Sequence, residues 1–114
     1  MEQITTARLG LCRLMRQGET FYITLPTSNQ FDEPFIFYIG EGKDSAVQTL
    51  NDLVDLCGTI EKGSPIVVDN GKDSCTISKG MGTLNLRQEG YAGYAELAKA
   101  ELQKYIKSIK ALKE

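Results

Sequence analysis

The sequence contains no histidine among its 114 residues. Histidine is the commonest general base at neutral pH and the commonest protein ligand of zinc. Its absence excludes serine and cysteine triads that depend on imidazole. Any catalysis by this chain would rely on carboxylates, lysine, tyrosine or groups from a partner. We therefore expect no enzymatic activity, no cofactor and no bound metal.

Long apolar runs are also lacking, since no stretch reaches the length of a membrane span or of a signal-peptide core. The cysteines, Cys12, Cys57 and Cys75, are odd in number, widely separated and embedded in apolar patterns. Such cysteines are typical of reduced, buried thiols in cytosolic proteins. We expect a cytoplasmic protein that does not contact membranes.

Basic residues are not in excess, because the formal net charge is −2 and the isoelectric point is near 5.2. Neutralising several phosphates requires a net basic surface, so nucleic acid is disfavoured as a partner.

A chain of 114 residues can bury about two-thirds of the surface that its unfolded form exposes. Residues 1–114 are therefore expected to form one domain with an ordinary core.

The clearest element is an amphipathic helix between Ser45 and Gly58. Its apolar residues recur at helical spacing, with polar residues opposite. The apolar stripe consists of Ala46, Val47, Leu50, Leu53, Val54 and Cys57. Ser45 is predicted as the N-cap in a capping box with Gln48, and Gly58 as the left-handed residue that ends the helix.

Other segments follow the same two periodicities. Helices are predicted over residues 4–15 and from Tyr91 to the end, and strands over residues 20–25, 35–39, 66–68, 75–77 and 83–87. For the first segment, a strand that pairs back across Gln17-Gly18-Glu19 is the rival interpretation, because Gly10 costs a helix about 1 kcal/mol. Asn70-Gly71 predicts a two-residue hairpin turn with Asp69 facing Lys72.

The predicted order is α-β-β-α-β-β-β-α, an α+β fold with an antiparallel sheet of about five strands and helices packed against it. This order resembles that of the roadblock and longin type of small domain, whose members mostly scaffold complexes and contact small GTPases. The resemblance covers the whole chain and rests on element order alone, so it implies a scaffold without assigning site residues. Gly-Lys-Asp-Ser occurs at residues 42–45 and 71–74, which we interpret as two similar turns within a chain that has no duplicated unit.

Two glycine-rich turns are candidate sites for an anionic or nucleotide-like ligand. One contains Gly42, Lys43 and Ser45 between a strand and a helix, although Phe37 stands where a Walker motif requires glycine. The other joins Lys79, Gly80 and Gly82 to Arg87 on the following strand. Both stretches also fit ordinary connecting turns.

The candidate interface residues are aromatic: Tyr22, Tyr38, Tyr91 and Tyr94. Tyr22 and Tyr38 alternate with Phe21 and Phe37, so both faces of their strands carry aromatic side chains, and half-buried tyrosine is common at interfaces. The leading hypothesis is a non-enzymatic interaction module that binds a protein partner and self-associates through this second sheet face or through the last helix. A small-ligand binding protein is the alternative.

Overall fold

The structure, a computed structural model, describes residues 2–6, 12–25, 35–70, 73–88 and 94–112. The first half of the chain forms the strands β1 (Glu2–Thr6), β2 (Arg13–Gln17), β3 (Thr20–Leu25) and β4 (Phe35–Glu41), followed by the helix α1 (Lys43–Thr59). The second half forms the strands β5 (Ile66–Asn70), β6 (Asp73–Lys79), β7 (Thr83–Gln88) and β8 (Ala95–Ala98), followed by the helix α2 (Lys99–Lys110).

The strands form two four-stranded sheets among the described residues, and each sheet follows the chain order. The first sheet contains β1 to β4 and the second contains β5 to β8, with every neighbouring pair antiparallel. The α+β class is confirmed. The predicted α-β-β-α-β-β-β-α order and the single sheet of about five strands are wrong. The likeness to roadblock and longin domains, which rested on that order, is not supported.

Element order repeats, because each half is a four-strand meander followed by a helix. The sequence analysis predicted no duplicated unit. The two Gly-Lys-Asp-Ser copies indeed occupy different places: Gly42 precedes α1, whereas Asp73 begins β6 after a hairpin. The repetition therefore lies in the arrangement of elements and is not marked by these tetrapeptides.

The N-terminal helix predicted over residues 4–15 is wrong where the structure describes it, because residues 4–6 belong to β1 and residues 13–15 to β2, whereas residues 7–11 lie outside the described residues. For the described part, the rival strand interpretation is correct. β2 pairs with β3 in a register that places Gln17 opposite Thr20, leaving Gly18 and Glu19 as a two-residue turn. Gly18 has φ 62° and Glu19 has no positive φ, which is the type II′ pattern that suits twisted hairpins. Leu14 is fully buried between less buried neighbours, as in a strand.

β3 spans the residues predicted for it, and β4 continues two residues beyond its predicted end at Ile39. Ile23 lies opposite Phe37 on the face that enters the core. Tyr22 lies opposite Tyr38 on the other face, because successive side chains of a strand alternate. The predicted aromatic character of both faces is thus present in the structure.

The apolar stripe of α1 is confirmed: Ala46, Leu50 and Leu53 are buried, and Val47, Val54 and Cys57 pack against the core. Both predicted ends are wrong. Gly42 is the N-cap, no side chain caps the helix, and Gln48 Nε2 instead donates to Asp52 Oδ1 at 2.9 Å. At the other end Gly58 is helical and the Ile60 N–H donates to Leu56 O at 2.8 Å.

The β5–β6 hairpin turns one residue later than predicted. Asn70 pairs with Asp73 and Asp69 pairs with Ser74, so the predicted contact between Asp69 and Lys72 is wrong. Gly71 and Lys72 lie outside the described residues. In β7 the predicted inward face is confirmed, since Leu84 and Leu86 are fully buried.

The last helix begins later than its predicted start at Tyr91. Residues 95–98 form β8, in which Leu97 lies opposite Leu84 of β7. The predicted helical face is confirmed from Lys99 onwards: its buried residues include Leu102, Tyr105, Ile106 and Ile109, while Lys99, Lys104, Lys107 and Lys110 are exposed. Tyr91 lies outside the described residues.

One hydrophobic core joins the inner faces of both sheets and both helices. α1 packs against α2 and β4, and α2 contacts β1 and β8. The buried Tyr105 hydroxyl donates to Cys12 O at 3.3 Å and so connects α2 to the segment before β2. Within the described residues, no helix has the length and apolar character needed to cross a membrane.

Candidate functional site

The turn before α1 is built around two glycines in unusual conformations. Gly40 has φ 147°, and a Cβ at this position would lie 2.8 Å from the backbone of Ser45 and Ala46. Gly42 has φ 85°, its N–H donates to Glu19 O at 2.7 Å, and its carbonyl accepts from the Ala46 N–H at 3.1 Å. These glycines therefore allow the tight passage from strand to helix.

Lys43 connects the two helices: its Nζ donates to Leu112 O, just beyond α2, at 2.7 Å. It also borders an open cleft of about 460 Å³ that is lined by Lys43, Asp44, Val47, Gln48 and Lys110. Ser45 is exposed in the first turn of α1. Lys110 was not among the residues predicted for this site, because it lies 67 positions after Lys43 in the sequence and only the packing of α2 brings it to the cleft. Binding of an anion at this turn stays a prediction.

The second glycine-rich candidate does not converge on one point. Lys79 lies opposite Leu84 and Arg87 lies opposite Thr76, so the two basic residues are on opposite faces of the second sheet. The Gly80 N–H donates to Thr83 O at 2.8 Å, and Gly82 has φ 74°, as expected of a connecting turn. The Arg87 guanidinium lies 5.3 Å from the centre of the Tyr94 ring, in a cation–π contact.

The candidate interface tyrosines do not lie together. Tyr22 and Tyr38 form a tilted pair on the first sheet, with ring centres 6.1 Å apart and planes at 56°. Tyr38 is 46 % exposed, whereas Tyr22 is only 4 % exposed although it lies outside the core cluster. Tyr94, also 46 % exposed, immediately precedes β8 of the second sheet, and Tyr91 lies outside the described residues.

A concavity of about 370 Å³ lies beside the Tyr22–Tyr38 pair. We call it the tyrosine hollow; the described residues that line it are Gln17, Thr20, Tyr22, Ile36 and Tyr38. The Tyr22 hydroxyl oxygen is buried and has no hydrogen-bond partner within the described part of the chain. An unpaired buried polar group costs about 1–3 kcal/mol. Burial, with a smaller effect of Tyr38, raises the pKa of the Tyr22 hydroxyl, so this group stays protonated at neutral pH.

β5 is the first strand of the second sheet, and only β6 pairs with it within the described residues. We call its unpaired side the β5 edge. Ile66 is 38 % and Val67 is 65 % exposed, so two consecutive branched apolar side chains face solvent here. The sequence predicted this strand but not its position at the end of a sheet, since that depends on pairing between distant residues.

The other sheet edges are engaged by neighbouring groups. At β4, the Ile36 N–H donates to Gln88 Oε1 at 2.8 Å. At β8, the Cys12 thiol contacts Glu96 O at 3.8 Å, and α2 packs against β1. No hydrogen bond from another described residue reaches the β5 edge. Among the four edges, β5 is therefore the one most open to a new strand.

A further groove, of about 630 Å³, runs beside α2 and is lined by Asn51, Ala100, Gln103, Lys104, Ile106 and Lys107. Four of its six described lining residues are polar or charged, although the surface that they present to the groove is mainly apolar, and Ile106 is already buried in the core. The apolar face of α2 is occupied by α1 and the sheets, so this helix presents its lysine face outward. Self-association through α2 stays a prediction.

Reactive groups are neither activated nor clustered in the described residues. Cys12, Cys57 and Cys75 are free, and burial raises the pKa of the Cys12 and Cys75 thiols to about 11, which leaves them protonated and weakly nucleophilic. Burial also raises the pKa of Cys57. No group of three or more histidine, cysteine, aspartate or glutamate side chains is arranged to hold a metal ion within these ranges.

Comparison of the chain with models of protein families, with curated proteins and with solved structures gives no match. A function is therefore inferred from the surfaces described above, above all from the β5 edge.

Proposed function

We propose that this chain is a non-enzymatic interaction module that self-associates by strand addition at the β5 edge. The observation that carries this proposal is that β5, at the end of the second sheet, pairs with β6 alone within the described residues and exposes the apolar side chains of Ile66 and Val67. An unpaired edge offers a row of backbone donors and acceptors, which another extended segment can satisfy. We propose β5 of a second copy as the added strand, because it has the same length and the same apolar residues.

The side chains of β5 support association. Natural edge strands are commonly protected by lysine, by proline within the strand or by a bulge. β5 has the sequence Ile-Val-Val-Asp-Asn, and its register with β6 runs without a bulge. Pro65 precedes the strand and leaves its interior unblocked. An apolar edge without these protective features favours pairing with another strand.

An antiparallel pair of β5 strands satisfies two-fold symmetry, the commonest symmetry of protein dimers. With the axis at Val67, Ile66 lies opposite Val68 of the second copy, and Asp69 lies opposite Pro65. This register brings apolar residues together and keeps like charges apart. It would join two four-stranded sheets into one continuous sheet of eight strands.

We also propose that this chain has no catalytic activity. The carboxylates that could act as acids or bases, Glu41, Asp44 and Asp69, are exposed and lie on separate elements. The two fully buried thiols are held protonated by their environment. Free thiols also support a reducing compartment, and we propose the cytoplasm. A protein partner with an extended apolar segment could use the same edge.

The test compares wild type with Val67→Lys by analytical ultracentrifugation over a wide range of concentrations. A lysine on an edge strand discourages pairing, so this variant should dissociate about tenfold more readily. Met81→Lys is the matched control, because Met81 is 99 % exposed in the β6–β7 turn and undergoes the same change of charge. This control should associate as the wild type does.

Amide hydrogen exchange identifies the surface that associates. In the wild type, alternate residues within 66–69 should exchange more slowly as the concentration rises, because a new strand takes up the N–H groups that do not point toward β6. Wild-type protein that remains monomeric at its highest soluble concentration contradicts the proposal. A dimer in which Val67→Lys has no effect and residues 66–69 gain no protection contradicts the proposed site.

A further inference from the structure

Two concavities lie along the same side of the α1–α2 pair, one of about 460 Å³ and the other of about 630 Å³. The residues that line them recur at spacings of three and four on both helices, which places each set on one face of its helix. They include Asp44, Gln48 and Asn51 of α1 and Lys104, Lys107 and Lys110 of α2. The two concavities therefore follow one another along a single surface, which we call the helix groove.

The helix groove is basic, although the whole chain carries a formal charge of −2. Four lysines and one aspartate are among its described lining residues, which gives a net charge of +3. The acidic residue of α2, Glu101, is buried and does not lie among the exposed lysines of that helix. Within the described residues, no carboxylate forms a salt bridge with Lys104 or Lys107. The described part of the chain thus leaves most of this positive charge without a counter-charge.

The helix groove also offers apolar surface to a partner. Ala100 is exposed, Val47 is half-buried, and the surface of the larger concavity is mainly apolar. The hydrocarbon stems of the lysines contribute to it, because lysine side chains lie along apolar surface and keep the ammonium group in water. A matching partner therefore combines carboxylates with apolar side chains.

The length of the helix groove fits a short helix. The lining residues of α2 extend from Ala100 to Lys110, which corresponds to about 15 Å along the helix axis. A partner helix of about ten residues covers this distance. Amphipathic helices commonly bind in such grooves through residues that recur every three or four positions.

We propose that the helix groove binds an acidic amphipathic helix of a protein partner, whose carboxylates pair with Lys104 and Lys107 and whose apolar side chains lie against Ala100. A nucleic-acid duplex fits this surface less well. Its phosphates require a broader basic face, and its backbone has no apolar side chain to place beside Ala100.

This site is independent of strand addition. The helix groove is formed by α1 and α2, whereas the β5 edge belongs to the second sheet. Val67→Lys, which should impair self-association, should keep binding at the helix groove within about twofold of the wild type. Loss of one property therefore does not imply loss of the other.

The experiment is an NMR titration of the full chain with an acetylated and amidated peptide of four Glu-Leu-Ala-Ala repeats, whose alanines favour a helix. The peptide should shift the signals of Asn51, Ala100 and Gln103, and added salt should weaken binding because exposed charges are screened. A peptide with glutamine in place of glutamate keeps the shape without the charge and should bind about tenfold more weakly. A peptide with proline in place of a central alanine interrupts the helix and should also bind about tenfold more weakly.

The double variant Lys104→Glu, Lys107→Glu tests the charge contacts, with Lys62→Glu, Lys79→Glu as its matched control. All four lysines are exposed and both variants change the net charge equally, but Lys62 and Lys79 lie outside the helix groove. The first variant should bind the peptide about tenfold more weakly than the control does. Lys104→Gln, Lys107→Gln removes the charge while keeping helix propensity, and should weaken binding about threefold. This neutral variant provides the test if the reversed charges disturb α2.

Unchanged signals of Asn51, Ala100 and Gln103 at millimolar peptide concentration overturn the proposal. Equal binding by the two charge-reversed variants, or equal affinity for the glutamate and glutamine peptides, overturns it as well. Equal binding of the proline peptide refutes a helical partner. A DNA duplex that shifts the same signals at lower concentration than the peptide refutes the assignment of this surface to a protein partner.

Discussion

Gly58→Ala should stabilise the protein, although glycine near the end of a helix usually marks a left-handed terminal residue. The structure places Gly58 inside α1, which continues to Thr59, and Gly58 has no positive φ. A Cβ added there meets no atom within 4 Å. Alanine is favoured over glycine in a helix by about 0.8–1.0 kcal/mol. Because Gly58 lies in the last turn, we expect a gain of about 0.5–1 kcal/mol in the free energy of unfolding.

Gly42→Ala, at the opposite end of the same helix, should have the opposite sign. Gly42 has φ 85° and ψ 157°, a region that glycine alone occupies readily. A Cβ at this position also meets nothing within 4 Å, so the cost arises from the backbone conformation and not from a clash. We expect the free energy of unfolding to fall by about 1–3 kcal/mol. The two variants add the same methyl group and differ in backbone geometry.

Urea unfolding followed by circular dichroism measures both effects as shifts of the midpoint at constant slope. Gly58→Ala should raise the midpoint and Gly42→Ala should lower it. A loss of about 1 kcal/mol in Gly58→Ala would mean that Gly58 is the left-handed C′ residue expected from the sequence. That result would refute the placement of the helix end at Thr59.

Three further predictions test other parts of the fold. Gly40→Ala should lower the free energy of unfolding by more than about 2 kcal/mol, because its Cβ would meet backbone atoms at 2.8 Å; a neutral result in urea contradicts this close approach. Lys43→Met should cost about 1 kcal/mol and speed amide exchange at the end of α2, since the ammonium donates to the carbonyl beyond that helix. The exposed Lys107→Met should change neither quantity, and equal effects of both variants would count against a specific contact. For Cys12 and Cys75, burial raises the thiol pKa from 9.0 to about 11, so the folded state keeps protons that the unfolded state releases above pH 9.0. The free energy of unfolding is therefore unaffected by these thiols below pH 9.0 and falls by about 3 kcal/mol per thiol as the pH rises to 11. Cys75→Ala should therefore lose stability less steeply than wild type across that range in urea unfolding, and equal slopes would refute the shift.

The sequence predicted elements whose periodicity extends over several turns or alternations. The apolar stripe of α1 runs from Ala46 to Cys57 in a helix of 17 residues, long enough to distinguish the helical period from that of a strand. A helix was predicted for the segment with Tyr94, Leu97 and Ala98, because three- and four-residue spacings link these residues. The buried pair Ala95 and Leu97 instead follows the two-residue period of β8. Over four residues both periods are satisfied, and only the pairing with β7 decides between them.

The candidate surfaces could be predicted only in part. Alternation along β3 and β4 correctly placed Tyr22 and Tyr38 together on the face opposite Phe37. The sequence could not show that Tyr22 would be covered while Tyr38 stays half exposed, because this depends on how side chains from three strands pack. The open edge at β5 was missed for a similar reason: whether a strand is central or terminal depends on nonlocal pairing.

The repeated order of elements explains why β5 is the edge left open. β1 and β5 are the first strands of their sheets, and each is the strand farthest in sheet order from the one that leads into a helix. The helix of the second half, α2, reaches across to pack against β1 of the first half. The helix of the first half, α1, packs against its own β4 and against α2, while the main contacts of β5 are with β6. Within the described residues, one chain thus provides a helix that contacts β1 but no equivalent cover for β5. In the proposed dimer, a second copy would supply the missing partner with a strand that the fold already contains.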